Sequence, residues 1–206
     1  MKSIKSRAGA SALALVLAAP ALGLIGANTA QAASYVNCGD VNWSDASGWE
    51  PIGSQGALKQ DKFAYTLYNA TPTFNVSDSR IAQNNTMQDI NTTFTSSQSK
   101  TFTLSVSASV SASFLKFLSA SVSATITNST TTQIGVSVTT AVPAGKTVQG
   151  DYGVQAYNIN AAGVKYTRIW PKGAVGANSY QCQKEDIALN NVNAPTNVEG
   201  WKVTVQ

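Results

Sequence analysis

From Phe102 to Ile126 the chain alternates apolar and hydroxyl side chains almost without a break. Even positions carry Phe102, Leu104, Val106, Ala108, Val110, Ala112, Phe114, Leu118, Ala120, Val122, Ala124 and Ile126, interrupted only by Lys116, while odd positions are nearly all Ser or Thr. Side chains on a strand point to opposite faces with a period of two, so the pattern predicts a ribbon that is apolar on one face and hydroxylated on the other. Parity fails at Leu115 and Phe117. With Phe114, Lys116 and Leu118 they form a compact cluster, where two arms are expected to meet as a hairpin. An ordinary strand ends after about 5 or 6 residues, whereas one that crosses a bilayer needs about 9 to 11. The arms match the bilayer length.

The N-terminus begins with Lys2, Lys5 and Arg7, continues through an apolar run from Leu13 to Ile25, and ends in small residues at Ala30 and Ala32. This is the pattern of a secretory signal peptide over residues 1–32. Removing those three cations from the fourteen basic residues leaves eleven against ten acidic ones, so the exported chain is close to neutral. Nucleic-acid binding therefore loses its electrostatic basis. Cys38 and Cys182 are the only cysteines, both lie in the exported part, and a single disulfide joining them is the economical expectation.

Three compositional zones follow the signal. Residues 33–74 are rich in aromatics and turn signals. Residues 75–158 are dominated by Ser, Thr, Asn, Val and Ala, with the hairpin at about 102–126, and residues 159–206 regain aromatics and charge. Strands are expected at Phe63–Tyr68, Asn91–Ser113, Leu118–Thr140, Thr147–Asn158, Gly163–Trp170 and Lys202–Val205, and no helical periodicity stands out. Histidine is absent, which removes the commonest general base and the commonest metal ligand. No pair among the acidic residues is singled out by spacing. The expectation is a protein without catalytic residues, metal or cofactor. Trp43 and Trp49 sit in turn-rich sequence and are candidates for contact with a receptor or glycan.

The ribbon, the central amphipathic hairpin and the Val142-Pro143-Ala144-Gly145-Lys146 turn are approached by Asn84-Asn85-Thr86 and Asn91-Thr92-Thr93-Phe94-Thr95-Ser96. Together they resemble the aerolysin and epsilon-toxin family of β-pore-forming proteins. The resemblance covers about 84–158 and is one of pattern. It implies an all-β fold, an elongated antiparallel sheet with long Ser/Thr-rich strands and an insertion hairpin. It also implies a secreted protein that binds a target membrane through a glycan or lipid receptor, forms a homo-oligomer and builds a shared barrel. A lone hairpin cannot cross lipid with open edges, so ring closure belongs to the mechanism.

In the implied barrel Leu104, Val106, Ala108, Val110, Ala112, Phe114, Leu118, Ala120, Val122, Ala124 and Ile126 face lipid. Ser105, Ser107, Ser109, Ser111, Ser119, Ser121 and Ser123 line the pore, and Leu115, Lys116 and Phe117 form the tip. Two other readings share the pattern: a soluble β-sandwich adhesin with hydroxyls facing water, and a self-assembling surface protein built from stacked sheets.

Overall fold

The computed structural model describes residues 33–53, 56–122, 124–176 and 179–206. The secretory-signal reading of 1–32 and the position of Ser123 lie outside the described residues.

Three long strands make the frame: β3 (Ala57–Gln83), β8 (Thr147–Trp170) and β9 (Gln181–Val205). At about 3.3 Å per residue each reaches roughly 80 to 90 Å. With two short strands, β1 (Ser34–Val36) and β2 (Glu50–Ile52), they form a fully antiparallel sheet in the order β1-β9-β8-β3-β2. The molecule has the expected all-β architecture with a long antiparallel sheet. The strands exceed their expected lengths because β-bulges, between Leu67 and Asn69 and between Val76 and Asp78 on β3, bend the backbone instead of ending it. At the second bulge Gly153 on β8 lies so close to β3 that a Cβ there would sit 2.0 Å from the Asn75 carbonyl oxygen, which accounts for glycine at that position.

Between β3 and β8 the chain makes an excursion: β4 (Ile90–Thr95), β5 (Thr101–Thr103), α1 (Ala108–Ser121), β6 (Ser129–Thr131) and β7 (Ser137–Val142). β4 pairs with β7, from Ile90 opposite Val142 to Thr95 opposite Ser137, and β5 pairs with β6, with Thr101 opposite Thr131 and Thr103 opposite Ser129. Hydrogen bonds from Ser96 N to Val136 O, Thr132 N to Lys100 O and Leu104 N to Asn128 O connect and extend these ladders. Every one of these pairs is symmetric about Lys116.

The continuous strands expected at Asn91–Ser113 and Leu118–Thr140 are a correction. The segment 108–121 is an α-helix, so the inner part of the expected hairpin, with its tip, is helical in this fold. The reason lies in a size modulation within the alternation. Every fourth residue from Val106 through Val110, Phe114, Leu118 and Val122 to Ile126 is large, whereas Ala108, Ala112, Ala120 and Ala124 are small. Residues four apart share a helix face, so one sequence carries a strand face and a helix stripe at once. Val110, Phe114 and Leu118 are buried on the sheet, while Ala112 and Ala120 face solvent.

The main core joins this stripe to Ile159 and Ala161 of β8 and to Leu189, Val192 and Ala194 of β9. Fully burying Phe114 and Leu118 stabilises the docked helix by about 1.5–3 kcal/mol each. A smaller core at one end of the sheet consists of Phe94, Val142 and Val148, with Trp201 stacked on Phe94.

Candidate functional site

α1 has weak reasons of its own to be a helix. It has no acidic residue in its first turn and no basic residue in its last, so its dipole is uncompensated by charge at either end. Ser113 donates to the Val110 carbonyl at 3.0 Å and Ser121 to the Phe117 carbonyl at 2.8 Å, the back-bonding that lets serine sit in a helix while slightly weakening it. Tertiary contact therefore holds α1 in place.

The principal contact is Tyr65 on β3. Its ring lies 5.2 Å from Phe114 and 5.4 Å from Phe117, and its hydroxyl is 2.6 Å from Ser113 Oγ. Burial pushes the phenol up from its usual range, against the opposing effect of the Ser113 hydrogen bond. Gly163, directly across on β8, makes room: a Cβ there would come within 3.0 Å of the Tyr65 ring. Beside this latch a cleft of about 910 Å³ opens between α1 and the sheet, with Asp45, Asp61 and Phe63 on one wall and Lys116 and Phe117 on the other. Lys116 is exposed.

Removing the Tyr65 hydroxyl tests the latch. Tyr65→Phe is expected to lower thermal stability by about 1 kcal/mol, the net worth of one hydrogen bond, when followed by circular dichroism.

A second attachment lies where β4 passes toward β5. Asp78 of β3, 5% exposed, accepts from Ser97 N at 2.7 Å and pairs with Arg80 at 3.2 Å. Burial alone would raise this carboxyl, but the Ser97 and Ser79 N–H groups and the Arg80 guanidinium together hold it below the usual carboxylate range. Asp61 behaves alike: burial opposes, while Thr167, Lys165 and Lys59 depress it. A depressed folded-state value means the stabilisation is complete above the ordinary value of 3.8 and is lost as pH falls through the folded value. Urea midpoints are therefore expected to fall below about pH 4. Asp78→Asn should lower the midpoint at neutral pH and flatten, without abolishing, the acid fall, because Asp61 still contributes.

No family model matches the chain, and no curated protein matches it. Among solved structures there is similarity in part. A crystal structure of parasporin-2, described as a Bacillus thuringiensis toxin that recognizes cancer cells, matches at 13% identity and a TM-score of 0.31, covering 73% of this chain and 74% of that one.

The structure gathers the residues singled out from the sequence into α1 and its flanks. Leu104, Val110, Phe114, Leu118 and Ile126 are buried, Val106, Leu115, Phe117, Val122 and Ala124 are half-buried, and Ser105, Ser107, Ser119 and Ser121 are exposed. Ser111 is half-buried. Trp43 and Trp49 meet around Arg168, whose guanidinium carbon lies 4.7 Å from the first ring and 5.0 Å from the second. Trp43 also donates to the Cys38 carbonyl at 3.1 Å, so one face and the polar edge of this ring are engaged within the protein. The Cys38–Cys182 disulfide is present, with a Cα–Cα distance of 5.3 Å. Sequence reasoning missed Tyr65 and Asp78. Both act across long stretches of chain, and only the alternation of Phe63, Tyr65 and Leu67 on β3 hinted at an inward aromatic.

Proposed function

We propose that the protein is secreted and acts without catalysis on a target membrane, where copies assemble and each contributes the segment around α1 as a β-hairpin of a shared transmembrane barrel. The observation that carries this reading is that α1 interrupts two antiparallel ladders, β4–β7 and β5–β6, which lead straight into its two ends. Its sequence alternates with the strand period while its large residues recur with the helix period. Such a segment has two ways to bury its apolar groups: against the sheet as a helix, or against lipid as a ribbon. From Leu104 to Phe114 and from Leu118 to Asn128 each arm has the length needed to span a hydrocarbon core of about 30 Å.

A single hairpin leaves unpaired backbone groups in lipid, so insertion requires a ring of copies. The hydroxyl face lines a lumen with little charge, which discriminates weakly between ions. Recognition of the target, through a glycan or lipid, belongs to parts of the chain away from α1.

The deciding experiment is dye release from vesicles, read together with detergent-resistant oligomers on a gel. Leakage with a ladder of oligomers is the expected result. Protein that binds vesicles and leaves them intact sinks the reading and favours an adhesin.

A further inference from the structure

We propose that the soluble fold already stores the register of the inserted hairpin, and that α1 is the part of one interrupted ladder held unzipped by Tyr65 and the sheet. The inference rests on the membrane-insertion reading of α1.

The alternation alone leaves the register open. A slip of one residue sets serines opposite valines and is excluded by the pleat, but a slip of two keeps apolar opposite apolar. The ladders on either side of α1 remove that freedom. Ile90–Val142, Thr95–Ser137, Thr101–Thr131, Thr103–Ser129 and the Leu104–Asn128 hydrogen bond are all centred on Lys116. Continued inward, this register pairs Val106 with Ile126, Ala108 with Ala124, Val110 with Val122, Ala112 with Ala120 and Phe114 with Leu118. Leu115, Lys116 and Phe117 are left as the turn. Large residues meet large and small meet small at every apolar pair.

The hydroxyl face gives an independent sign. Thr93 and Thr139 are in contact at 2.9 Å, Thr95 and Ser137 at 2.8 Å, and Thr101 and Thr131 at 2.8 Å, all odd-numbered pairs. Odd pairs are thus the closely spaced, non-hydrogen-bonded ones of an antiparallel ladder, in keeping with backbone bonds at Ser96, Lys100 and Leu104. The same register continues this ladder of hydroxyls through Ser107 and Thr125, Ser111 and Ser121, and Ser113 and Ser119. Conversion then needs no sliding of one arm past the other. Pairing extends inward from Leu104 and Asn128 as the helix unwinds.

Cysteine pairs in the full chain test the register. In α1 positions 111 and 121 lie about 15 Å apart along the axis, too far to bridge. In the proposed hairpin they face one another at about 4.5 Å, whereas 111 and 119, or 113 and 121, become diagonal neighbours about 7–8 Å apart. The variants Ser111→Cys/Ser121→Cys, Ser111→Cys/Ser119→Cys and Ser113→Cys/Ser121→Cys are oxidised before and after addition of phosphatidylcholine–cholesterol vesicles. Closure is read as protection from a maleimide mass tag. The expected result is closure only after vesicle addition, at least tenfold faster for the 111/121 pair. Equal or faster closure of either diagonal pair overturns the stored register, as does leakage with no closure in any pair. If the vesicles stay intact, the pore reading fails on its own, and the same oxidation in dodecyl maltoside micelles decides the register: preferential 111/121 closure upholds it, and indiscriminate or absent closure overturns it.

Discussion

Ala112→Asp combined with Ala120→Asp is expected to leave the soluble protein folded and to silence it on membranes. Both alanines face solvent on α1, so each aspartate costs about the helix-propensity difference, 0.7 kcal/mol or less, and the thermal midpoint should move by only a few degrees. In the hairpin the same two positions face each other on the lipid side, between the middle of each arm and the tip, where a carboxylate still costs about 1–2 kcal/mol. Two per copy, repeated around a ring, are expected to cut dye release at least a hundredfold. Val110→Asp with Val122→Asp is a poorer test, because Val110 is 4% exposed and its loss damages the soluble core as well. A doubly substituted protein that keeps its midpoint and still empties vesicles at the normal rate would show that the even-numbered face never meets lipid.

The sequence of α1 carries a strand signal and a helix signal together. Strict alternation over so many residues is the strongest strand signal a sequence offers, and it masks a weaker one, the recurrence of bulky residues every fourth position from Val106 to Ile126. Weighting side chains by volume rather than by polarity would have exposed the helix. The long strands were legible in pieces. Ile159 to Ala162 falls between two expected strands because Asn160, Ala161 and Ala162 are poor strand formers, yet the backbone runs through it, since a central strand is held by neighbours on both edges and needs little help from its own propensities. The disulfide was legible from a count of two cysteines in an exported chain. Tyr65 and Asp78 were not, because what matters is the company they keep, Ser113 and Ser97, and no local pattern marks either pair.

Replacing Cys38 and Cys182 together by serine is expected to lower the unfolding free energy by about 4–5 kcal/mol, through the entropy returned to the unfolded chain when a closed loop of this length opens. The bridge joins residues 144 positions apart, so β2, β3, β8 and the whole excursion lie inside the loop, and β9 runs on from its closing end. Native contacts offer little compensation: β1 is held to β9 by only the short pairing from Ser34–Lys184 to Val36–Cys182, too brief to persist alone. The midpoint should fall by roughly 10 to 20 °C. The substitution also separates stability from release. α1 is latched by Phe63 and Tyr65 on β3, three strands across the sheet from β1, so protein that remains folded should convert no more readily than the parent. Dye release measured below the lowered midpoint is therefore expected to be unchanged per folded molecule. A sharp rise would mean that the disulfide end of the sheet restrains α1. A sharp fall would instead place recognition of the membrane in the N-terminal segment that the bridge and Trp43 pin against Arg168.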